Sequence, residues 1–175
     1  GSDGICFSDI NNDGYDDLTV LEYNTKKLYF YNSEGPSGFN VSSSVDDADL
    51  ILSGDEFRSM NNITFGDING DGYEDVVLQK MYSSADTFYG LYVLYNNNGS
   101  ISETPDVKIE GECEKIAVDD LNGDGFCDIV TGYSLDNKAY IFYSDGSSGV
   151  PAFSSLDEAD NTITGEDGFG YFLGW

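Results

Sequence analysis

Residues 65–75 read FGDINGDGYED. Acidic or amide side chains stand at every second position, Asp67, Asn69 and Asp71. Gly72 follows at once, and Asp75 closes the run. The pattern recurs as FSDINNDGYDD over 7–17 and VDDLNGDGFCD over 118–128. Three carboxylates within one tight turn repel each other unless something neutralises them. An oxygen-seeking divalent cation does so. With the first Asp as position 1, side-chain oxygens at positions 1, 3, 5 and 9 and a main-chain carbonyl at position 7 can surround one calcium ion, which takes six to eight oxygen ligands. The glycine at position 6 permits the sharp turn. The expected calcium ligands are therefore Asp9, Asn11, Asp13, the Tyr15 carbonyl and Asp17 in the first loop. In the second they are Asp67, Asn69, Asp71, the Tyr73 carbonyl and Asp75. In the third they are Asp120, Asn122, Asp124, the Phe126 carbonyl and Asp128.

Two other readings of the loops compete with this one. An EF-hand begins the same way but needs a bidentate Glu at position 12 and flanking helices. Position 12 is Val20, Leu78 and Thr131, and strand-like residues follow position 9. A plain Asx-rich turn without metal is the second alternative, and three copies in register argue against it. Magnesium fits less well than calcium because it holds its waters.

Two further elements repeat with the loop. One is an aromatic run, KLYFYN from Lys27, GLYVLYN from Gly90 and KAYIFYS from Lys138. The other is D-x-x-x-x-G, in ADLILSG from Ala48, PDVKIEG from Pro105 and ADNTITG from Ala159. Short β-branched or aromatic runs bounded by turn residues predict strands. In the second unit they are expected near 57–66, 75–81, 89–96 and 106–111. The aromatic runs are apolar on both alternating faces. In YIFY, Tyr140 and Phe142 point one way and Ile141 and Tyr143 the other, so these strands are expected to be covered on both sides. A sugar-binding platform is the alternative use for them, disfavoured by their place in mid-strand. The fold expected is all-β, with four-stranded antiparallel blades stacked face to face as in a propeller.

These residues carry a resemblance. ADLILSGDEFRSMNNITFGDINGDGYEDVVL resembles the FG-GAP repeat, the blade unit of the integrin alpha-subunit β-propeller and its microbial relatives. The Phe65-Gly66 pair, the D-x-N-x-D-G-x-x-D loop and the D-x-x-x-x-G strand match it. Phe-Gly becomes Phe7-Ser8 and Val118-Asp119 in the other units, and the Gly-Ala-Pro part is replaced by LQKMY and VTGYS. The resemblance implies blades over 1–53, 54–111 and 112–165, with 166–175 as the strand of an incomplete fourth. Propellers of this family commonly close with seven blades. Three blades and a strand leave a face and strand edges open, so either the chain is a piece of a longer propeller or copies complete one another by strand addition.

The totals narrow the function. The chain has 175 residues, 33 Asp and Glu against 7 Lys and Arg, and a formal charge of −26. That surface repels nucleic acid and anionic membranes and suits cations or basic partners. Tyr and Phe bring aromatics to 14%, which opposes disorder. No apolar run approaches the length of a membrane span, and GSDGICFSDI has neither a basic start nor an apolar stretch, so a mature form or a fragment is expected. There is no histidine, no G-x-S-x-G elbow and no Cys–His pair, and the carboxylate pairs lie in the metal loops. No enzyme is expected, although FG-GAP blades accompany catalytic domains in some families. Cys6, Cys113 and Cys127 are odd in number, and no disulfide is assigned. Cys127, in the third loop, is expected to be exposed. Asn40, Asn62 and Asn98 each open a glycosylation sequon. Asn98, in NNNGS, is the best placed, and Asn62, within an expected inner strand, the least favoured. Weak calcium sites fill at the millimolar calcium found outside cells. The expectation is thus an extracellular, calcium-stabilised scaffold or adhesion module, secreted or at the cell surface, carrying three Ca2+ and binding a protein partner or its own copies. A structural fibre subunit is the alternative, and an accessory propeller fragment of a secreted enzyme a distant one.

Overall fold

The computed structural model describes residues 4–22, 26–39, 44–84, 88–150, 155–167 and 169. Among these the regular structure is twelve strands and four short 3-10 turns, with no α-helix. The strands are β1 Ile5–Ser8, β2 Asp17–Glu22, β3 Lys27–Tyr31, β4 Leu50–Ser53, β5 Met60–Gly66, β6 Asp75–Lys80, β7 Gly90–Leu94, β8 Val107–Glu110, β9 Lys115–Asp119, β10 Asp128–Tyr133, β11 Lys138–Phe142 and β12 Asn161–Thr164. They form three antiparallel meanders, β1-β2-β3-β4, β5-β6-β7-β8 and β9-β10-β11-β12. In each, an acidic loop joins the first two strands, the aromatic run is the third and the D-x-x-x-x-G element is the fourth. Of the strand expected over 166–175, residues 166, 167 and 169 are described. They form a turn in which the Phe169 N–H donates to the Glu166 carbonyl at 2.9 Å. The remainder lies outside the described residues.

The alternation of side chains explains why the sheets stack. In the middle blade, Val76 pairs with Phe65 and Leu94, while Leu78 pairs with Ile63 and Tyr92. These six side chains share one face and pack with Leu28, Phe30 and Leu52 of the first blade. On the other face, Val77, Leu91, Val93, Val107 and Ile109 pack with Ile129, Tyr140 and Phe142 of the third. Burial on both faces accounts for the consecutive apolar residues 76–78 of β6 and 91–94 of β7, strands in which every residue is buried.

The outer blades show the same pattern with one side uncovered. Ile5, Val20, Tyr29 and Ile51 stand in register on the first blade's far face, as do Phe7, Leu18 and Tyr31. Ile5 is 51% and Phe7 61% exposed. On the third blade's far face stand Ala117, Val130 and Ile141, with Ile163 49% exposed.

Gly66, the glycine of the Phe-Gly pair, sits in close contact between blades two and three. A Cβ there would lie 2.4 Å from Val118 Cγ1 and 3.1 Å from Cys127 Sγ. The equivalent Ser8 is also buried and donates to Glu74 across the first interface. The equivalent Asp119 faces no further blade and is exposed. Cys127, expected on an exposed loop position, is half-buried for the same reason, since it packs in the second interface. Gly66→Ala is expected to lower stability by about 1–3 kcal/mol, the usual cost of overpacking. Urea unfolding checks this, and Gly72→Ser, which has open space beside it, separates packing from backbone strain.

Candidate metal-binding loops

Each acidic loop crosses from the first to the second strand of its blade at one end of the sheet. Backbone conformation sets its shape. Position 6 is a glycine with φ near 90° in all three loops, at Gly14, Gly72 and Gly125. Position 4 is also left-handed, at Asn12 (φ 57°), Gly70 (φ 72°) and Gly123 (φ 79°). Only Gly, or the tolerant Asn, takes such angles cheaply.

The turn aims main-chain N–H groups at the carboxylates. In the second loop, Asp67 accepts from the N–H groups of Asp71 and Gly72 at 3.1 and 2.9 Å. Asn69 Oδ1 accepts from Asp71 N–H at 2.9 Å, and Asp71 from Tyr73 N–H at 2.9 Å. The first loop repeats this through Asp9, Asn11 and Asp13. The third does so through Asp120, Asn122 and Asp124. The chain therefore brings the donors at positions 1, 3 and 5 of each loop around one small turn.

The Asp at position 9 differs from the rest because it is buried. Asp75 accepts from Ile68 and Asn69 N–H with Oδ2 (3.0 and 3.3 Å) and from Asn96 N–H with Oδ1 at 2.7 Å. Asp17 spans Ile10 and Ser33 in the same way, and Asp128 spans Leu121 and Ser144. One carboxylate thus clamps the start of the loop to the exit of the third strand. Burial pushes the Asp75 carboxyl up to about 7, against the lowering effect of its three N–H donors, and the neighbouring Asp71 charge adds to the rise. Burial raises Asp17 and Asp128 as well.

The donor chemistry fits a hard cation. Each loop offers three carboxylates, one amide oxygen and a main-chain carbonyl, with no sulfur or imidazole among them. Each carboxylate oxygen holding one N–H keeps further lone-pair capacity. Among the described residues, no three acidic or thiol side chains stand together in ready metal-holding geometry. The carboxylates are instead turned to the loop's own amides.

One functional position escaped the sequence reading. Position 2 of each loop is apolar: Ile10, Ile68 and Leu121. Ile10 plugs the first blade interface and Ile68 the second. Leu121 has no following blade and is exposed. Their carbonyls are tied to the next blade as well. Asn96 Nδ2 donates to the Ile10 carbonyl at 2.6 Å, and the Ser144 hydroxyl donates to the Ile68 carbonyl. The signal was in the sequence, an aliphatic residue inside an otherwise polar loop in all three copies.

Of the sequon asparagines, Asn98 is exposed in its turn and accepts a hydrogen bond from the Tyr73 hydroxyl. Asn62 lies in β5, 6% exposed. Its Nδ2, the atom a glycan would occupy, donates to Gln79 Oε1 and to the Glu114 carbonyl, both at 2.8 Å. Asn40 lies outside the described residues. The three cysteines are free thiols.

Comparison with known proteins agrees with the resemblance to the FG-GAP repeat. Residues 9–78 match the FG-GAP-like repeat model, so the resemblance to that repeat is shown over the first two loops. Integrin alpha-7 of Mus musculus is 26% identical over 136 residues, covering 71% of this chain and 12% of that protein. Integrin alpha-6 of Gallus gallus is 26% identical over 116 residues, covering 61% of this chain and 11% of its own length. The chain thus spans about an eighth of these relatives. Among solved structures, a lectin of Agrocybe aegerita, described as recognising non-reducing terminal N-acetylglucosamine, matches with a TM-score of 0.54 at 18% identity. The match covers 92% of this chain and 42% of that one, and it supports the blade fold alone.

Asp75→Ala leaves two buried N–H groups, of Ile68 and Asn96, without acceptors. Measured in EDTA, it is expected to destabilise by roughly 3 kcal/mol, against about 1 kcal/mol or less for the exposed Asp71→Ala. Denaturant unfolding of both variants gives the comparison.

Proposed function

We propose that this chain is a non-catalytic, extracellular adhesion-type module in which three hairpin loops each bind one calcium ion and so stiffen the stack of blades. The observation that carries the reading is the threefold recurrence of the oxygen-donor loop with its buried carboxylate clamp, joined in the first two loops by a plug in the next blade interface. In those two loops the segment that would close around an ion is tied at one end to its own third strand and at the other to the next blade. The Asp9, Asp67 and Asp120 loops would hold the metal through the side chains and carbonyls named above. The ion would supply charge neutralisation and rigidity. Three divalent ions would remove six of the 26 net negative charges.

Support for an adhesion-type role comes from the FG-GAP-like repeat match and the integrin alpha relatives. An extracellular location agrees with weak, oxygen-only calcium sites and with the exposed sequon at Asn98. Among the described residues, no helix is long and apolar enough to cross a membrane. A protein partner is the ligand class this surface suits, since its charge disfavours nucleic acid. N-linked sugar at Asn98 belongs to the same reading.

The second reading is a self-assembling fibre subunit. It is favoured by one observation, the apolar faces left open on both outer blades, where Ile5 and Phe7 stand at one end of the stack and Ile163 at the other. Complementary faces at opposite ends suit head-to-tail association.

Titration calorimetry against Ca2+ and thermal unfolding in calcium or EDTA test the proposal together. At millimolar calcium and a dissociation constant of about 10⁻⁴ M, each filled site adds roughly 1.5 kcal/mol. A higher melting temperature in calcium is therefore expected, with one third of the binding stoichiometry lost in Asp67→Ala/Asp71→Ala. No calcium binding and no shift with EDTA would sink the metal reading. Sedimentation across protein concentration separates the module, which stays monomeric, from the fibre subunit, which grows.

A further inference from the structure

At the end of the sheets away from the acidic loops, blades two and three enclose a recess of about 260 Å³. Its lining includes Glu110, Glu112, Asp136 and Asp157 together with the rings of Tyr133 and Tyr140. The first blade interface carries the corresponding place around Tyr92, and there it is filled by the chain itself. The Lys108 ammonium lies 4.9 Å from the Tyr92 ring centroid and donates to both oxygens of Glu56, at 3.2 and 3.1 Å. Lys80 lies 5.8 Å from the same ring and donates to the Glu56 carbonyl at 3.1 Å. Phe88 stacks on Tyr92 at 4.8 Å, and the Tyr92 hydroxyl donates to Glu56 at 2.6 Å. That hydroxyl and the Lys108 ammonium hold the Glu56 carboxyl below its usual range despite partial burial.

Strand register shows what stands at each of these positions one blade later. Tyr92 pairs with Lys108, whereas Tyr140 pairs with Thr162. Lys80 pairs with Gly90, the first residue of β7, and its counterpart is Tyr133, paired with Lys138. Phe88, two residues before β7, corresponds to Asp136, two before β11. Both lysines and the stacking ring are thus replaced, while the acidic and aromatic walls remain. Glu112 accepts from the Tyr133 hydroxyl as Glu56 does from Tyr92. Of the chain's own ammonium groups, one flanks the recess and another is held in the first interface. Lys138 flanks Tyr140 at 5.9 Å, as Lys27 flanks Tyr29 at 5.9 Å, and Lys80 is committed to the first interface.

We propose that the recess between blades two and three is a docking site for a lysine side chain of a partner protein. The ammonium takes the place that Lys108 fills at the preceding interface. Four carboxylates supply charge-assisted acceptors, and the tyrosine faces attract a cation within about 6 Å. The chain's overall charge steers basic partners toward it. Because the recess lies away from the acidic loops, its occupancy does not depend on the calcium reading.

The test titrates N-acetyl-lysinamide into the intact chain at 150 mM NaCl and millimolar calcium, which suppresses non-specific attraction, with tyrosine-ring NMR shifts as the readout. Saturable shifts confined to the Tyr133 and Tyr140 region are expected, with none from the uncharged isostere N-acetyl-norleucinamide. Affinity should fall roughly tenfold or more in Glu112→Gln/Asp157→Asn, which removes two charged acceptors. Thr162→Lys, on an exposed strand, should abolish binding by filling the site from within, and circular dichroism confirms that each variant folds. Shifts that are unsaturable and spread over all tyrosines, equal shifts with norleucinamide, or unchanged binding in Thr162→Lys would overturn the proposal. So would a response of these rings to N-acetylglucosamine in place of N-acetyl-lysinamide, which would make the recess a sugar site. Titrating calcium into the same samples reads the loops separately, so either proposal can fail alone.

Discussion

A buried carboxylate at the start of each second strand joins the two halves of every blade. Asp17, Asp75 and Asp128 accept N–H groups from the loop on one side and from the exit of the third strand on the other. Burying a carboxylate without donors would be costly, and the tight turn supplies them because positions 4 and 6 take left-handed backbone angles. The loop's course then places Ile10 and Ile68 in the next interface. Asn96 and Ser144 in turn reach back to the carbonyls of those residues. Loop shape, sheet exit and blade stacking are consequently one coupled arrangement. A mutation at the clamp is therefore expected to be felt in the packing between blades.

That coupling bears on what the acidic loops do. A calcium ion bound at positions 1, 3, 5, 7 and 9 would act on a segment already tied to two blades, so it would stabilise the stack as well as the turn. The turn's own main-chain N–H groups also point at the carboxylates and so help set the shape of the loop.

The three blades are near-copies with different surroundings, and the differences read as an internal control. The same apolar position is buried as Ile10 and Ile68 but exposed as Leu121. The position that is buried at Ser8 and Gly66 is exposed at Asp119. The tyrosine that carries Lys80 and Lys108 at one interface, Tyr92, is flanked at the next by Lys138 alone, as Tyr140, beside a recess. Each change follows from whether another blade stands alongside, or from which residue occupies the neighbouring strand.

Much of this was legible in the sequence. The loop spacing marks the turn and its donors, since Asp and Asn at alternate positions around Gly can form little else. The period-two apolar pattern of the aromatic runs marks strands covered on both faces, and three repeats in one order mark stacked blades. Residues whose roles depend on a neighbouring blade were not legible. Half-burial of Cys127 and the partners of the Asn62 amide arise from contacts between segments some fifty residues apart, which no local pattern encodes. The recess beside Tyr140 is of the same kind. Its carboxylates come from two blades and the turns between them, and only the packing of one sheet on the next brings them together.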